Sequence, residues 1–350
     1  MSERSTKQSL GATPAHAPRG SDRPLAELYD AALLDLDGVV YRGRSAVAYA
    51  TSVLAELRHR GVAVGYVTNN AARTPDQVAA HLHELGIPAT PRDVVTSAQA
   101  GARLVAELVP AGSAVLVVGG DGVAEAVRER GLRPVHTVAE APAAVIQGYG
   151  PDVGWQQLAE AAYAVETGLP WVATNMDRTI PTAHGIAPGN GALVAAVEMA
   201  TGAQPLVAGK PEPPLHHESV LRLRASRPLV VGDRLETDIE GACRVGADSL
   251  LVLTGVTSPA VLVAADPMHR PTYLAADLRG LLTPHPQVEV EKEGRATCRG
   301  WTVEVSEAIK IEGAGDPVDG LRALCGASWG SIREPGPDQV TAAVGQLGLG

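Results

Sequence analysis

The stretch Ala31-Ala32-Leu33-Leu34-Asp35-Leu36-Asp37-Gly38-Val39-Val40-Tyr41-Arg42-Gly43 decides the fold. An unbroken apolar run ends in two aspartates one residue apart, and a glycine follows. A short apolar run without alternation fits a strand covered on both faces, as in a parallel sheet. Ligands of such sheets bind outside the carboxyl ends of the strands, so Asp35 and Asp37 stand where chemistry is expected. Asp-x-Asp-Gly is also ordinary turn material, and alone the pair decides nothing.

Working outward, two more strand-like runs end in polar clusters. Residues 61–67 lead into Thr68-Asn69-Asn70, and residues 228–231 lead into Gly232-Asp233-Arg234-Leu235-Glu236-Thr237-Asp238. Gly209-Lys210-Pro211 lies between them, just ahead of a helical stretch. Asp-x-Asp-Gly, Thr-Asn-Asn, Gly-Lys-Pro and Gly-Asp-x4-Asp, in that order, resemble the four motifs of the haloacid dehalogenase (HAD) superfamily of phosphohydrolases. The resemblance covers about Tyr29 to Leu282. Within the superfamily the chain resembles the branch with a large α/β cap between the second and third motifs. That branch holds nucleotide, pyridoxal phosphate, phosphoglycolate and glycerol-phosphate phosphatases, and the last of these are the most similar.

The resemblance implies an α/β fold: a Rossmann-like HAD core with a parallel sheet, an inserted α/β cap of the C2 type, and a small C-terminal α+β extension. Residues 1–22 read as a disordered tail, 23–103 as the first part of the core and 104–204 as the cap. Residues 205–283 read as the second part of the core and 284–350 as the extension. Alternating stretches around Val288–Glu291 and Trp301–Val305 point to half-exposed antiparallel strands in that last part. In the core, Thr74-Pro75-Asp76-Gln77 signals a capped helix start, and residues 45–60 carry apolar positions at helical spacing. The core is expected to resume at residue 206. A polar loop from Asn175 to Asn190 precedes a helix that Asn190 would cap. Val118-Gly119-Gly120-Asp121-Gly122-Val123 has the wrong glycine spacing for a dinucleotide turn and reads as a tight strand-to-helix connection.

Composition narrows the function. Phe is absent and aromatics make up 3%, which disfavours base stacking, and a net charge of −10 disfavours a polyanion-binding surface. Nucleic acid is therefore not an expected partner. Neither is a membrane, since no apolar segment suits a signal peptide or a span. Cys243, Cys298 and Cys325 are too few and scattered for a disulfide framework or a zinc site, and a reducing cytoplasm is the simple inference. A small phosphorylated metabolite needs only local positive charge. A homodimer through the cap is the expected assembly.

The chemistry of these residues suits phosphoryl transfer. A carboxylate is ionised at pH 7 and needs no neighbouring base to attack, so Asp35 takes the nucleophile's place. Asp37 would protonate the departing alkoxide and then take a proton from the attacking water. The two acids must therefore differ in environment. Asp35, Asp37, Asp233 and Asp238 around a phosphate dianion would repel one another, which calls for a hard cation. The resemblance implies magnesium, with carboxylates from Asp35 and Asp233 and the backbone carbonyl of Asp37 as ligands. Asp238 reads equally as a helix-start acid or as a member of the metal shell. Lys210, one of four lysines in the chain, would neutralise the nucleophile and the phosphate. Thr68, Asn69 and Asn70 offer donors for phosphoryl oxygens, or an ordinary strand-to-turn cap. His59, His81, His83, His216 and His217 read as surface residues.

Discrimination among substrates should lie in the cap loop, where Asn-x-Asp is followed by Pro and then by Pro-Gly. Asn175 and Asp177 could accept from and donate to small hydroxyls, and little aromatic surface is available to stack a ring. Glycerol 3-phosphate is the first expectation, with phosphoglycolate, a nucleoside monophosphate or pyridoxal phosphate as alternatives.

Overall fold

The computed structural model describes residues 17–182 and 184–349, which form two compact units. Asp30–Ser226 make one, and residues 17–29 with 227–349 make the other.

In the first unit, Ala31–Leu34 is a strand buried at every position. Ala63–Thr68 runs parallel to it with Ala31 opposite Ala63, and Val94–Thr96 runs parallel to that strand with Thr68 opposite Thr96. Burial on both faces explains why the run that opens the chain's chemistry does not alternate. The helix Pro75–Glu84 starts at Thr74, whose Oγ1 accepts from Gln77 N at 3.3 Å while Gln77 Oε1 accepts from Thr74 N at 3.0 Å. Residues 45–60 differ from the expected single helix. Ser45–Ala46 pairs with Tyr41–Arg42 as a small hairpin, and the helix is Ala50–His59. The turn at Gly43 and a left-handed Tyr49 (φ 65°) interrupt a pattern that apolar spacing alone would extend.

A cap is present, and its strands form their own parallel sheet. Leu206–Val207, Trp171–Ala173, Ala144–Gln147, Ala114–Val118 and Arg133–Val135 lie side by side in that order. Leu116, Val145, Ala161, Val165, Trp171 and Val194 make its core between sheet and helices. Two readings change here. Leu206–Val207, expected to resume the core, extends the cap sheet instead; two residues carry no pattern that could have said so. The Asn175–Asn190 loop contains an antiparallel ribbon, Thr179–Thr182 with Gly185–Pro188, whose Pro181 and Pro188 hid it.

In the second unit, Pro228–Gly232, Asp248–Val252 and Tyr273–Ala275 are parallel. The extension is a four-stranded antiparallel sheet, Glu289–Lys292, Arg295–Cys298, Trp301–Val305 and Ile309–Gly313, with helices Pro317–Trp329 and Pro337–Gln346. It shares one apolar core with the parallel strands, in which Leu251 and Leu274 pack with Val303, Leu321 and Leu324. Arg322 bonds both Asp319 and the carbonyl of Leu274, which ties the extension to the strand Tyr273–Ala275. Residues 1–16 of the expected disordered tail lie outside the described residues. Residues 17–22 are ordered, a correction with a simple cause: Arg19 N donates to Thr272 O and Ser21 N to His285 O, both at 2.8 Å, and Ala17 packs on the extension's core.

Candidate active site

Asp35 leaves the buried strand Ala31–Leu34 at its carboxyl end, and Lys210 reaches it as an ion pair between Lys210 Nζ and Asp35 Oδ1. Lys210 is only 4% exposed, so its charge is held for a partner rather than for solvent. Asn69, at the end of the adjacent strand, fixes the lysine's backbone: its Oδ1 accepts from Lys210 N at 2.8 Å and its Nδ2 donates to Lys210 O at 3.1 Å. Thr68 Oγ1 accepts from Asn70 N at 3.1 Å, which leaves its own hydroxyl hydrogen to donate elsewhere. Asn70 Oδ1 accepts from Ala72 N at 2.9 Å, closing an Asx turn.

Asp37 lies two residues beyond Asp35 and is exposed, so the two acids do occupy different environments. Gly38, with φ 89°, turns the chain, and its N donates to Tyr41 O at 2.7 Å. Tyr41 packs edge-on against His81 with ring centroids 5.0 Å apart, so His81 is half-buried rather than a surface residue. Burial, reinforced by the negative charges of Asp37 and Asp35 and partly offset by Arg73, pushes the Tyr41 hydroxyl up to about 12. A neutral phenol beside the two acids follows.

The cap meets this site through two seams. At one, Asn69 Nδ2 also donates to Asp177, 3.2 Å from Oδ1 and 3.4 Å from Oδ2, while Asn175 Nδ2 donates to Asn69 O at 2.8 Å. Asp177 N in turn donates to Asn175 Oδ1 at 3.1 Å. Asn190 does not cap its helix as expected. Gly189 takes the cap position, and Asn190 Nδ2 donates to Asn175 O at 2.8 Å, buttressing the loop. At the other seam, Gly122 N donates to Ala72 O at 3.1 Å, and a Cβ on Gly122 would sit 2.5 Å from the carbonyl oxygens of both Ala71 and Arg73. Gly120 and Gly122 therefore admit the loop after Asn70.

Asp233 and Asp238 belong to the second unit, where both are buried. Asp233 Oδ2 accepts from Val256 N at 2.7 Å. Asp238 lies in a π-helical turn, Leu235–Ile239, and its Oδ2 accepts from Arg234 N at 3.2 Å. Such turns are frequent at functional sites. A Cβ on Gly255 would fall 1.8 Å from Asp233 Oδ2, and one on Gly232 would fall 2.1 Å from Asp238 Cβ, so both glycines clear space for the acids. Buried carboxylate oxygens are the donor chemistry a hard divalent cation takes, and magnesium fits this pair.

A family model described as haloacid dehalogenase-like hydrolase matches residues 32–133, and one described as HAD-hydrolase-like matches residues 207–281. The D-glycerol 3-phosphate phosphatase of Mycobacterium tuberculosis is 45% identical over 317 residues, 88% of each chain. The chain belongs to the haloacid dehalogenase-like hydrolases. This HAD-like hydrolase also resembles an acid sugar phosphatase of Staphylococcus saprophyticus, 36% identical over 73% of this chain and 97% of the relative. Among solved structures it is similar to a glycerol phosphate phosphatase from Mycobacterium tuberculosis in complex with magnesium, with TM-score 0.83 and 43% identity over 94% of this chain and 100% of that one.

A third model, a GCN5-related N-acetyltransferase like domain, matches residues 298–349 of the HAD-like hydrolase. The helix Pro317–Trp329 there begins at Asp316, whose Oδ1 accepts from Val318 N at 2.9 Å, and Asp319 follows in the first turn. Two acids hold the positive helix end that an anion would otherwise take.

Sequence reasoning also missed the buried charge of Glu218 and misplaced a second histidine. His216, expected at the surface, is buried on the inward face of the helix Pro213–Leu223 beside Leu215, while His217 is exposed. Glu218, buried in the same helix, accepts from Arg130 at 2.5 Å, Arg222 at 2.6 Å and Arg103 at 3.4 Å. Arg222, four residues on in the same helix, was the one signal available for it.

Proposed function

We propose that this HAD-like hydrolase is a magnesium-dependent phosphomonoesterase acting on a small polyol phosphate, glycerol 3-phosphate first. The observation that carries the reading is the buried Lys210 paired with Asp35 at the end of a fully buried strand. An anion delivered there meets a fixed cation and a carboxylate already in place, and preorganised charge is the largest catalytic contribution in most such sites. The name of the 45% identical mycobacterial relative supports the substrate.

In this reading an Asp35 carboxylate oxygen attacks phosphorus and the ester bond to the alkoxide breaks. Asp37 protonates the departing alkoxide, then takes a proton from the water that attacks the aspartyl phosphate, and inorganic phosphate leaves with Asp35 restored. Lys210, the Thr68 hydroxyl and the Asn70 amide receive the phosphoryl oxygens. Asp35, the Asp37 carbonyl and Asp233 would hold Mg²⁺, with Asp238 supporting the shell; bound there, the cation offsets the charge that accumulates on the phosphoryl group. The cap loop through Asn175 and Asp177 closes the leaving-group side. Cytoplasmic residence belongs to the same reading; no helix of the described residues is long and apolar enough to cross a membrane. So does a homodimer through the cap, which would cover the exposed Trp155, Ile186 and Met199.

The test is phosphate release with Mg²⁺ across glycerol 3-phosphate, phosphoglycolate, UMP and pyridoxal phosphate. The highest kcat/KM is expected for glycerol 3-phosphate. A clear preference for UMP or pyridoxal phosphate overturns the substrate.

A further inference from the structure

A primary amide has two hydrogens to donate and an oxygen to accept with. On Asn69 all three are committed: Oδ1 takes Lys210 N–H, one Nδ2 hydrogen goes to Lys210 O and the other to Asp177. The assignment admits no flip, because exchanging O and N would set a donor against the Lys210 N–H and an oxygen against a carboxylate. The backbone of Asn69 is held as well, its carbonyl accepting from Ser97 Oγ at 2.6 Å and from Asn175 Nδ2 at 2.8 Å. Asn175 is thus committed at both ends, since its Oδ1 accepts from Asp177 N. Asn175 and Asp177 therefore grip one core residue from the cap, one at its carbonyl and one at its amide, and Asn190 braces the grip from behind.

We infer that Asp177 is a positioning residue that acts through Asn69 on Lys210, so that the seated cap sets the lysine against Asp35. A carboxylate acceptor strengthens an amide hydrogen bond and fixes its direction. Removing the carboxylate frees one Nδ2 hydrogen and lets the amide that brackets Lys210 rotate. The lysine then loses orientation rather than charge. Asn175, and the side chain of Asn69, act with Asp177 in this grip rather than on the hydroxyls or phosphoryl oxygens of the substrate. The inference rests on the phosphatase reading but not on the polyol, and its test uses a substrate that has no hydroxyl to read.

The experiment measures kcat and KM of wild type, Asp177→Ala and Asp177→Asn on p-nitrophenyl phosphate and on glycerol 3-phosphate, with thermal unfolding of each variant alongside. Asp177→Ala is expected to lower kcat about tenfold on both substrates, the loss of one charge-assisted hydrogen bond, with KM on p-nitrophenyl phosphate little changed. Asp177→Asn keeps an oxygen that accepts from Asn69 and is expected to recover most of the rate on both. A loss confined to glycerol 3-phosphate would make Asp177 a reader of substrate hydroxyls and overturn the inference. Wild-type rates on both substrates in Asp177→Ala would overturn it too, as would equal losses in the Ala and Asn variants of a folded protein. If glycerol 3-phosphate proves a poor substrate for the wild type, the polyol reading falls while the p-nitrophenyl phosphate comparison still decides the role of Asp177.

Discussion

Replacing Glu218 with alanine should destabilise the unit formed by Asp30–Ser226 by about 2 kcal/mol. Glu218 is 2% exposed and sits under three guanidinium groups, Arg103 from the helix Ser97–Leu108, Arg130 from the cap and Arg222 from its own helix. Removing one partner of a buried ion pair costs about 3–5 kcal/mol, mostly because the remaining charge is stranded. Here the arginines are 27–39% exposed, so water reaches them once the carboxylate is gone, and the cost falls to about half. Glu218→Gln, which keeps an accepting oxygen and loses the charge, should cost about 1 kcal/mol. The assay is urea unfolding followed by tryptophan fluorescence, with Arg130→Ala completing a double-mutant cycle. A coupling of about 1 kcal/mol or more between Glu218 and Arg130 is expected, because they are in contact. A Glu218→Ala midpoint matching that of the wild type would refute the reasoning, since a buried carboxylate under three cations cannot be energetically idle.

Lys210→Met should leave the fold intact and lower kcat by about 100-fold or more on any phosphomonoester, measured as phosphate release, since it removes the buried cation paired with Asp35. Activity should vanish with EDTA and return with Mg²⁺; full turnover in a metal-free preparation would show a different mechanism. Gly122→Ala should cost about 2 kcal/mol and reduce kcat/KM, because the new Cβ meets two backbone carbonyls that cannot move aside, and unfolding together with steady-state kinetics would show it. Burial holds the His285 imidazole below the usual histidine range, while its Nε2 contacts Gly280 O at 2.8 Å. A depressed pKa means the unfolded chain binds the proton more readily, so the stability His285 contributes is full above about pH 6.5 and is lost as pH falls below it. The Tm of His285→Gln should accordingly fall less than that of the wild type between pH 7 and pH 5.

The parts of the fold that were legible are those where burial leaves a local mark. Ala31–Leu34 and Ala63–Thr68 are buried almost throughout, so their apolar runs stand out, and Thr74 with Gln77 writes a helix start into four residues. Val94–Thr96 and Arg133–Val135 were not legible, being three residues long, and Arg133 and Pro134 carry no strand signal. Pro213–Leu223 buries the polar residues His216, Glu218 and Ser219, and two of the arginines that pair with Glu218 come from distant segments, so the helix resembled a surface one. The site shows the same division. Asp35 and Lys210 were visible as residue types at motif positions, whereas the clamp of Asn69 on Lys210 spans 141 residues and exists only in three dimensions. The extension was read as an α+β module with half-exposed antiparallel strands, but its attachment through Arg322 to the carbonyl of Leu274 could not be.

The most direct measurement is phosphate release by Asp35→Asn under saturating Mg²⁺ and glycerol 3-phosphate, with circular dichroism and thermal unfolding to establish the fold. The amide keeps the shape of Asp35 and its place beside Lys210 while removing the nucleophilic charge. Turnover is expected to fall by at least about a thousandfold with the Tm near that of the wild type. A folded Asp35→Asn protein that still releases phosphate within about tenfold of the wild-type rate would contradict an aspartyl-phosphate mechanism at this strand end.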